Sequence, residues 1–167
     1  MKLLLTSNGL SNPSIANALE ELVGKPGKET KIAFIPNAAF PVDDFKNDSR
    51  DWLADDIYRV KEFCGFIDIV SPADLTSEEV IERLTYADVI FVGGGNAFYL
   101  SYLFQKANLF DSLPELLKTR VYAGISAGSM IATASLRSVS GAIKQPQKFY
   151  DKEYNELGPK GRSAGRT

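Results

Sequence analysis

Gly124-Ile125-Ser126-Ala127-Gly128 sets two glycines around one serine, between the apolar run Val121-Tyr122-Ala123 and the small-residue stretch Met130 to Ala134. That spacing suits a strand-to-helix turn that lifts the serine hydroxyl off a buried strand and aims a helix N-terminus at it. The chemistry served by such a turn is acyl transfer, with a hydroxyl nucleophile and two backbone N–H donors around a developing oxyanion. An ordinary glycine-rich strand-to-helix turn is the plain alternative. A second glycine run, Gly93-Gly94-Gly95-Asn96, also follows an apolar stretch. It has neither the lysine of a P-loop nor the full Gly-x-Gly-x-x-Gly register, which argues against a phosphate cradle. Beside the serine turn it gains a use: Ala127 N–H and Gly95 N–H as the two donors, with Gly94 alongside and Asn96 anchoring a polar group of the substrate.

These loops need a frame. Apolar runs at Lys2–Thr6, Lys31–Pro36, Phe66–Val70, Asp88–Val92 and Val121–Ala123 read as strands. Helical spacing separates them: Ile15, Leu19, Leu22 and Val23 after Asn12-Pro13, then Trp52, Leu53, Ile57, Val60 and Phe63. Further helices are expected after Ser77, from Ala97 to Gln105 and from Leu109 to Lys118. The alternation predicts an α/β fold, a mostly parallel sheet with helices on both faces, and ligand binding at the strands' C-terminal ends. One α/β domain is expected over residues 1–143. Residues 144–167 lose the strand–helix rhythm, end in a glycine-rich basic stretch, and read as a flexible tail.

The chain has 167 residues, enough to bury a core in one domain, and its net charge of −2 gives no electrostatic footprint for nucleic acid or an anionic membrane. No apolar run approaches membrane-spanning length, and the leucines at the N-terminus fall short of a signal-peptide core, so a cytoplasmic setting is expected. The one cysteine, Cys64, reads as a buried structural thiol at a helix end, followed by a C-cap glycine, Gly65. Asp43, Asp44, Asp48, Asp51, Asp55 and Asp56 fit no calcium loop and read as a solvated loop and helix face; no metal or cofactor is expected. Phe98, Tyr99, Tyr102 and Phe104 read as core or groove lining. Histidine is absent from all 167 residues, so no imidazole base can come from this sequence.

Val92-Gly93-Gly94-Gly95-Asn96, taken with Gly124-Ile125-Ser126-Ala127-Gly128, resembles the peptidase E (aspartyl dipeptidase) and cyanophycinase family of serine peptidases, S51. Leu3 to Asn8 and Ile32 to Pro36 are similar to the first two strands of that family. The resemblance covers about residues 1–143. It implies a three-layer, flavodoxin-like sandwich of the class I glutamine amidotransferase type. It also implies Ser126 as nucleophile, Gly95 and Ala127 as the oxyanion hole, and hydrolysis of short aspartyl peptides. Arg137, eleven residues past Ser126, reads either as a cation for a substrate carboxylate, which the family's aspartyl substrates call for, or as a plain surface arginine. The family places a catalytic histidine on a later strand, and the region after Asn155 has none, so the chain reads as a C-terminally shortened member. Lys144, Asp151 and Glu153 are the non-histidine bases within reach of sequence. A catalytically silent member, or a module that only binds, is the alternative. A shortened sheet would leave the Val121 strand and its neighbour at an open edge, predicting self-association as a homodimer or marginal stability.

Overall fold

The computed structural model describes residues 1–41 and 49–132. Five strands form one parallel sheet: β1 (Lys2–Thr6), β2 (Lys31–Ile35), β3 (Phe66–Ile69), β4 (Val89–Val92) and β5 (Val121–Ile125), in the order β1-β5-β4-β2-β3. Helices α1 (Pro13–Val23), α2 (Asp51–Phe63), α3 (Ser77–Tyr86), α4 (Ala97–Lys106), α5 (Leu109–Leu116) and α6 (Ala127–Ile131) connect or follow them. The parallel α/β sheet is the one the alternation predicts, and its flavodoxin-like arrangement is the one the resemblance implies.

Local chemistry sets the helix boundaries. Asn12 Oδ1 accepts from Ile15 N at 3.1 Å, Pro13 opens the first turn of α1, and Gly24 closes it in the left-handed region. Thr76 and Glu79 exchange hydrogen bonds as a capping box at the start of α3. At the end of α2 the expectation needs correcting. The cap is Cys64 itself, buried and extended, and Gly65 is required instead because a Cβ there would collide with the Lys28 carbonyl.

Side chains alternate across the strands and give the sheet two apolar faces. Ile32, Phe34, Val89, Phe91, Val121, Ala123 and Ile125 form one core with Leu19 of α1 and Val60 of α2. The Phe34 and Phe91 rings meet there at 5.7 Å. Ile35, Ile90, Val92 and Tyr122 point the other way, toward the layer of α3 to α6, where Tyr122 Oη donates to the Gly128 carbonyl at 2.6 Å. Burial holds the Tyr122 phenol well above its ordinary pKa, so it stays a neutral donor.

The chain moves across the sheet in one direction from β1 through β2 to β3 with α1 and α2 on one face. It then returns through β4 to β5 with α3 to α5 on the other, as right-handed crossovers require. That reversal overturns the expected edge at the Val121 strand. β5 lies between β1 and β4, and all five of its residues are buried. Among the described residues the outer strands are β1 and β3, and both are partly exposed. Asp88 lies just before β4. Burial alone would raise its pKa, but hydrogen bonds from Lys25 (2.7 Å) and the Lys31 amide (2.8 Å) outweigh it and hold the carboxyl below its ordinary value.

Candidate functional site

Ser126 follows β5 with φ 46° and ψ −105°, a conformation that side chains other than glycine rarely adopt. It is exposed, whereas Ile125 and Ala127 on either side are buried. The flanking glycines are steric necessities. A Cβ at Gly124 would come within 2.6 Å of Ser129 N, and one at Gly128 would overlap the Val92 carbonyl. Only bare backbone lets α6 fold back this tightly on β5 and β4.

Polar clamps hold the turn. Ser126 N donates to the Thr6 carbonyl at 2.9 Å. Ser129 Oγ accepts from Thr6 N at 3.0 Å, and its proton reaches the Thr6 or Gly124 carbonyl, each 2.8 Å away. Thr6 Oγ1 donates to Gly124 O at 2.9 Å and accepts from Gly9 N at 3.0 Å. The turn is therefore built against β1, across more than a hundred residues of sequence.

Gly94 and Gly95 adjoin it from the end of β4. A Cβ at Gly94 would touch Ser126 Cβ at 3.5 Å. Gly95 has φ 130° and passes so close to the Ala38 carbonyl that no side chain fits. Neither the Gly95 nor the Ala127 N–H donates to another backbone carbonyl among the described residues, and Ala127 opens α6, where a first-turn N–H has no partner within the helix. Asn96 is placed differently from expectation. Its Oδ1 accepts from Tyr99 N at 2.9 Å and caps α4, and it does not line the cavity described next. Arg137, Lys144, Asp151, Glu153, Asp43, Asp44 and Asp48 lie outside the described residues.

A cavity of about 460 Å³ opens at Ser126, Gly94 and Gly95. It lies where the connection after β1 turns toward the α1–α2 layer while those after β4 and β5 turn toward the opposite one, the usual crevice of such a sheet. The sequence reading missed its far wall, where α2 brings Trp52, Asp55, Asp56 and Arg59. Asp56 is only 6% exposed, which corrects its assignment to a solvated helix face. Burial raises its pKa, the Arg59 guanidinium 3.6 Å away lowers it less, and Asp55 adds to the rise. The available signal was the spacing Trp52, Asp56, Arg59, which puts the three side chains on adjoining turns of one helix face. Of the expected aromatics, Phe104 is buried in the core and Phe98 is exposed. Among the described residues no cluster of metal-ligating side chains occurs, and no helix is long and apolar enough to cross a membrane.

The family profile described as Peptidase family S51 matches residues 3–155. This chain belongs to peptidase family S51. A Streptomyces coelicolor protein named "Peptidase E" is 30% identical over 156 residues, covering 89% of this chain and 58% of its own length. A Drosophila melanogaster protein named "Probable alpha-aspartyl dipeptidase" is 37% identical over 71 residues, 41% of this chain and 30% of its own. The S51 chain described here therefore spans well under two thirds of the length of the relatives it matches. The fold matches a crystal structure of a candidate peptidase E from Listeria monocytogenes EGD-e with a TM-score of 0.63 at 22% identity, over 78% of this chain and 61% of that one.

Proposed function

We propose that this S51 chain carries the site of a serine-type peptidase acting on short aspartyl peptides, with Ser126 as nucleophile and the Gly95 and Ala127 N–H groups as oxyanion hole. The observation that supports it most is the strained backbone of the exposed Ser126 at the end of an interior strand, with Gly94 and Gly95 beside it. Strain of about 1–3 kcal/mol persists where the surrounding structure enforces it, commonly at sites of chemistry. In the reaction, Ser126 Oγ attacks the scissile carbonyl carbon and its proton passes to a base and then to the leaving amine. The oxyanion draws hydrogen bonds from the two N–H groups, and water then cleaves the acyl-serine. Asn96 acts here by capping α4 and so fixing the Gly94-Gly95 backbone. Arg137 is retained as a partner for a substrate carboxylate.

A second reading, a catalytically silent member that binds peptides, is favoured by the absence of histidine from the 167 residues. Losing one member of a catalytic triad costs about 10⁴-fold or more in rate. Incubation with an aspartyl-p-nitroanilide and a fluorophosphonate probe separates the two. Turnover with labelling that Ser126→Ala abolishes supports the peptidase; no labelling and no turnover supports the silent reading.

The finer assignments belong to the same proposal. The peptidase-like domain is taken to run to residue 143, with 144–167 as a tail. The single buried, unbridged Cys64 fits a reducing, cytoplasmic setting. Self-association through β1 and β3, the outer strands among the described residues, fits their partial exposure. A concentration-independent monomer in analytical ultracentrifugation would overturn that last point.

A further inference from the structure

Asn37 is a buried polar residue that the elbow chemistry leaves unexplained. It opens the short 3-10 turn Asn37–Ala39, one residue after β2 ends, and it is fully buried. Its Nδ2 donates to Ser71 Oγ at 2.9 Å, and Ser71 lies just past β3, the parallel neighbour of β2. The single hydroxyl proton of Ser71 goes to the Asp74 carboxylate, so toward Asn37 the hydroxyl can only accept. That turns the amide with its NH2 toward Ser71 and leaves Oδ1 without a hydrogen-bond partner among the described residues. A half-satisfied buried amide costs stability, so its presence calls for a use other than stability.

What the turn touches is the glycine loop beside Ser126. The Ala38 carbonyl accepts from Asn96 N at 2.7 Å. Gly95 passes the same carbonyl so closely that a Cβ there would lie 2.1 Å from it. Gly94, one residue earlier, lies against Ser126 itself, where a Cβ would meet the serine Cβ at 3.5 Å. We propose that Asn37 is a positioning residue: tied to Ser71, it sets where the Ala38 carbonyl stands and so where the Gly95 N–H points. Asp74 acts through Ser71, taking its proton and leaving a lone pair to Asn37. The catalytic use of the Gly95 N–H rests on the peptidase reading; the positioning does not.

Amide hydrogen exchange, read residue by residue by NMR, tests the positioning without turnover. Asn37→Ala would leave a buried hole, so the partly buried Ser71 is the residue to change. Ser71→Ala should speed exchange of the Asn96 amide by about fivefold, the factor that one net hydrogen bond is worth, and leave the β5 amides as they were. Ser71→Thr keeps a hydroxyl there and should restore the Asn96 rate. Fluorophosphonate labelling of Ser126 should slow by about tenfold in Ser71→Ala and recover in Ser71→Thr, a displaced oxyanion donor costing less than the loss of one, which is about 10²–10³-fold. An unchanged Asn96 rate in Ser71→Ala overturns the proposal. So does a rise shared equally by β5, which would make the bond merely structural, and so does labelling of Ser71→Ala at the unsubstituted rate. If exchange changes as expected while the unsubstituted protein is never labelled, the positioning stands and the peptidase reading falls. If Ser126 is labelled and Asn96 exchange stays unchanged in Ser71→Ala, the reverse holds.

Discussion

Thr6 and Ser129 hydrogen-bond to each other in both directions: the Thr6 N–H donates to Ser129 Oγ at 3.0 Å, and Ser129 Oγ lies 2.8 Å from the Thr6 carbonyl. The same carbonyl accepts from Ser126 N at 2.9 Å. One residue of β1 therefore fixes both the proposed nucleophile and the helix behind it.

Ser129→Ala should destabilise the protein by about 1–2 kcal/mol, because it strands the Thr6 donor in a partly buried place. It should also slow fluorophosphonate labelling of Ser126 by loosening the turn. Urea unfolding and labelling rates on one preparation check both; an unchanged unfolding midpoint would show the clamp to be redundant.

Ser126→Gly and Ser126→Ala should part company. Glycine adopts φ 46° without a Cβ penalty, relieving about 1–3 kcal/mol of strain against a backbone-entropy cost of about 0.5–1 kcal/mol. Alanine keeps the strain. A gain in denaturation midpoint at constant slope for Ser126→Gly alone is the expected result, with labelling abolished in both.

Gly128→Ala puts a methyl group into the Val92 carbonyl and displaces α6 from the sheet. The expected loss is about 3 kcal/mol, at the upper end for overpacking because backbone cannot step aside as a side chain can. Thermal unfolding would show it as a clear drop in Tm; a drop no larger than that of an exposed helical substitution would mean that α6 shifts freely.

Asp56 makes stability depend on pH in an uncommon direction for a carboxylate. Burial raises its folded-state pKa above the unfolded value near 3.8, the attraction of Arg59 notwithstanding. The stability it contributes is complete below that unfolded value and is lost as pH rises through the folded pKa. Asp56→Asn should therefore raise Tm at pH 7 and leave it unchanged near pH 3. A lower Tm for Asp56→Asn at pH 7 would mean that the Arg59 pair outweighs the burial.

Five strands, six helices and the two glycine loops were legible in the sequence because each is written locally. Continuous apolar runs mark strands buried on both faces, and Asn12 and Gly24 mark helix ends through hydrogen bonds that span four residues or fewer. The Gly-x-Ser-x-Gly spacing is local too, since the crowding at Gly124 comes from Gly128 and Ser129. Asn96 is a residue type that fits two uses, capping the next helix or facing a ligand, and the bond from Tyr99 N to its Oδ1 shows the first of them.

The sequence by itself thus determined which segments become strands, which turn strains its serine, and that no imidazole comes from these 167 residues. Strand order was the decision of the tertiary structure. Pairing β5 with β1 joins residues more than a hundred positions apart, pairing it with β4 joins residues about thirty apart, and no periodicity within a strand encodes its neighbours. That pairing turned an expected edge into an interior strand, between β1 and β4, and set Thr6 against the serine turn. It also let α2, laid across the same face as Ile125, carry Asp56 out of water and into the cavity beside Ser126. A carboxylate read along its helix looks solvated; what covers it arrives from elsewhere in the chain, and only the packed fold shows it.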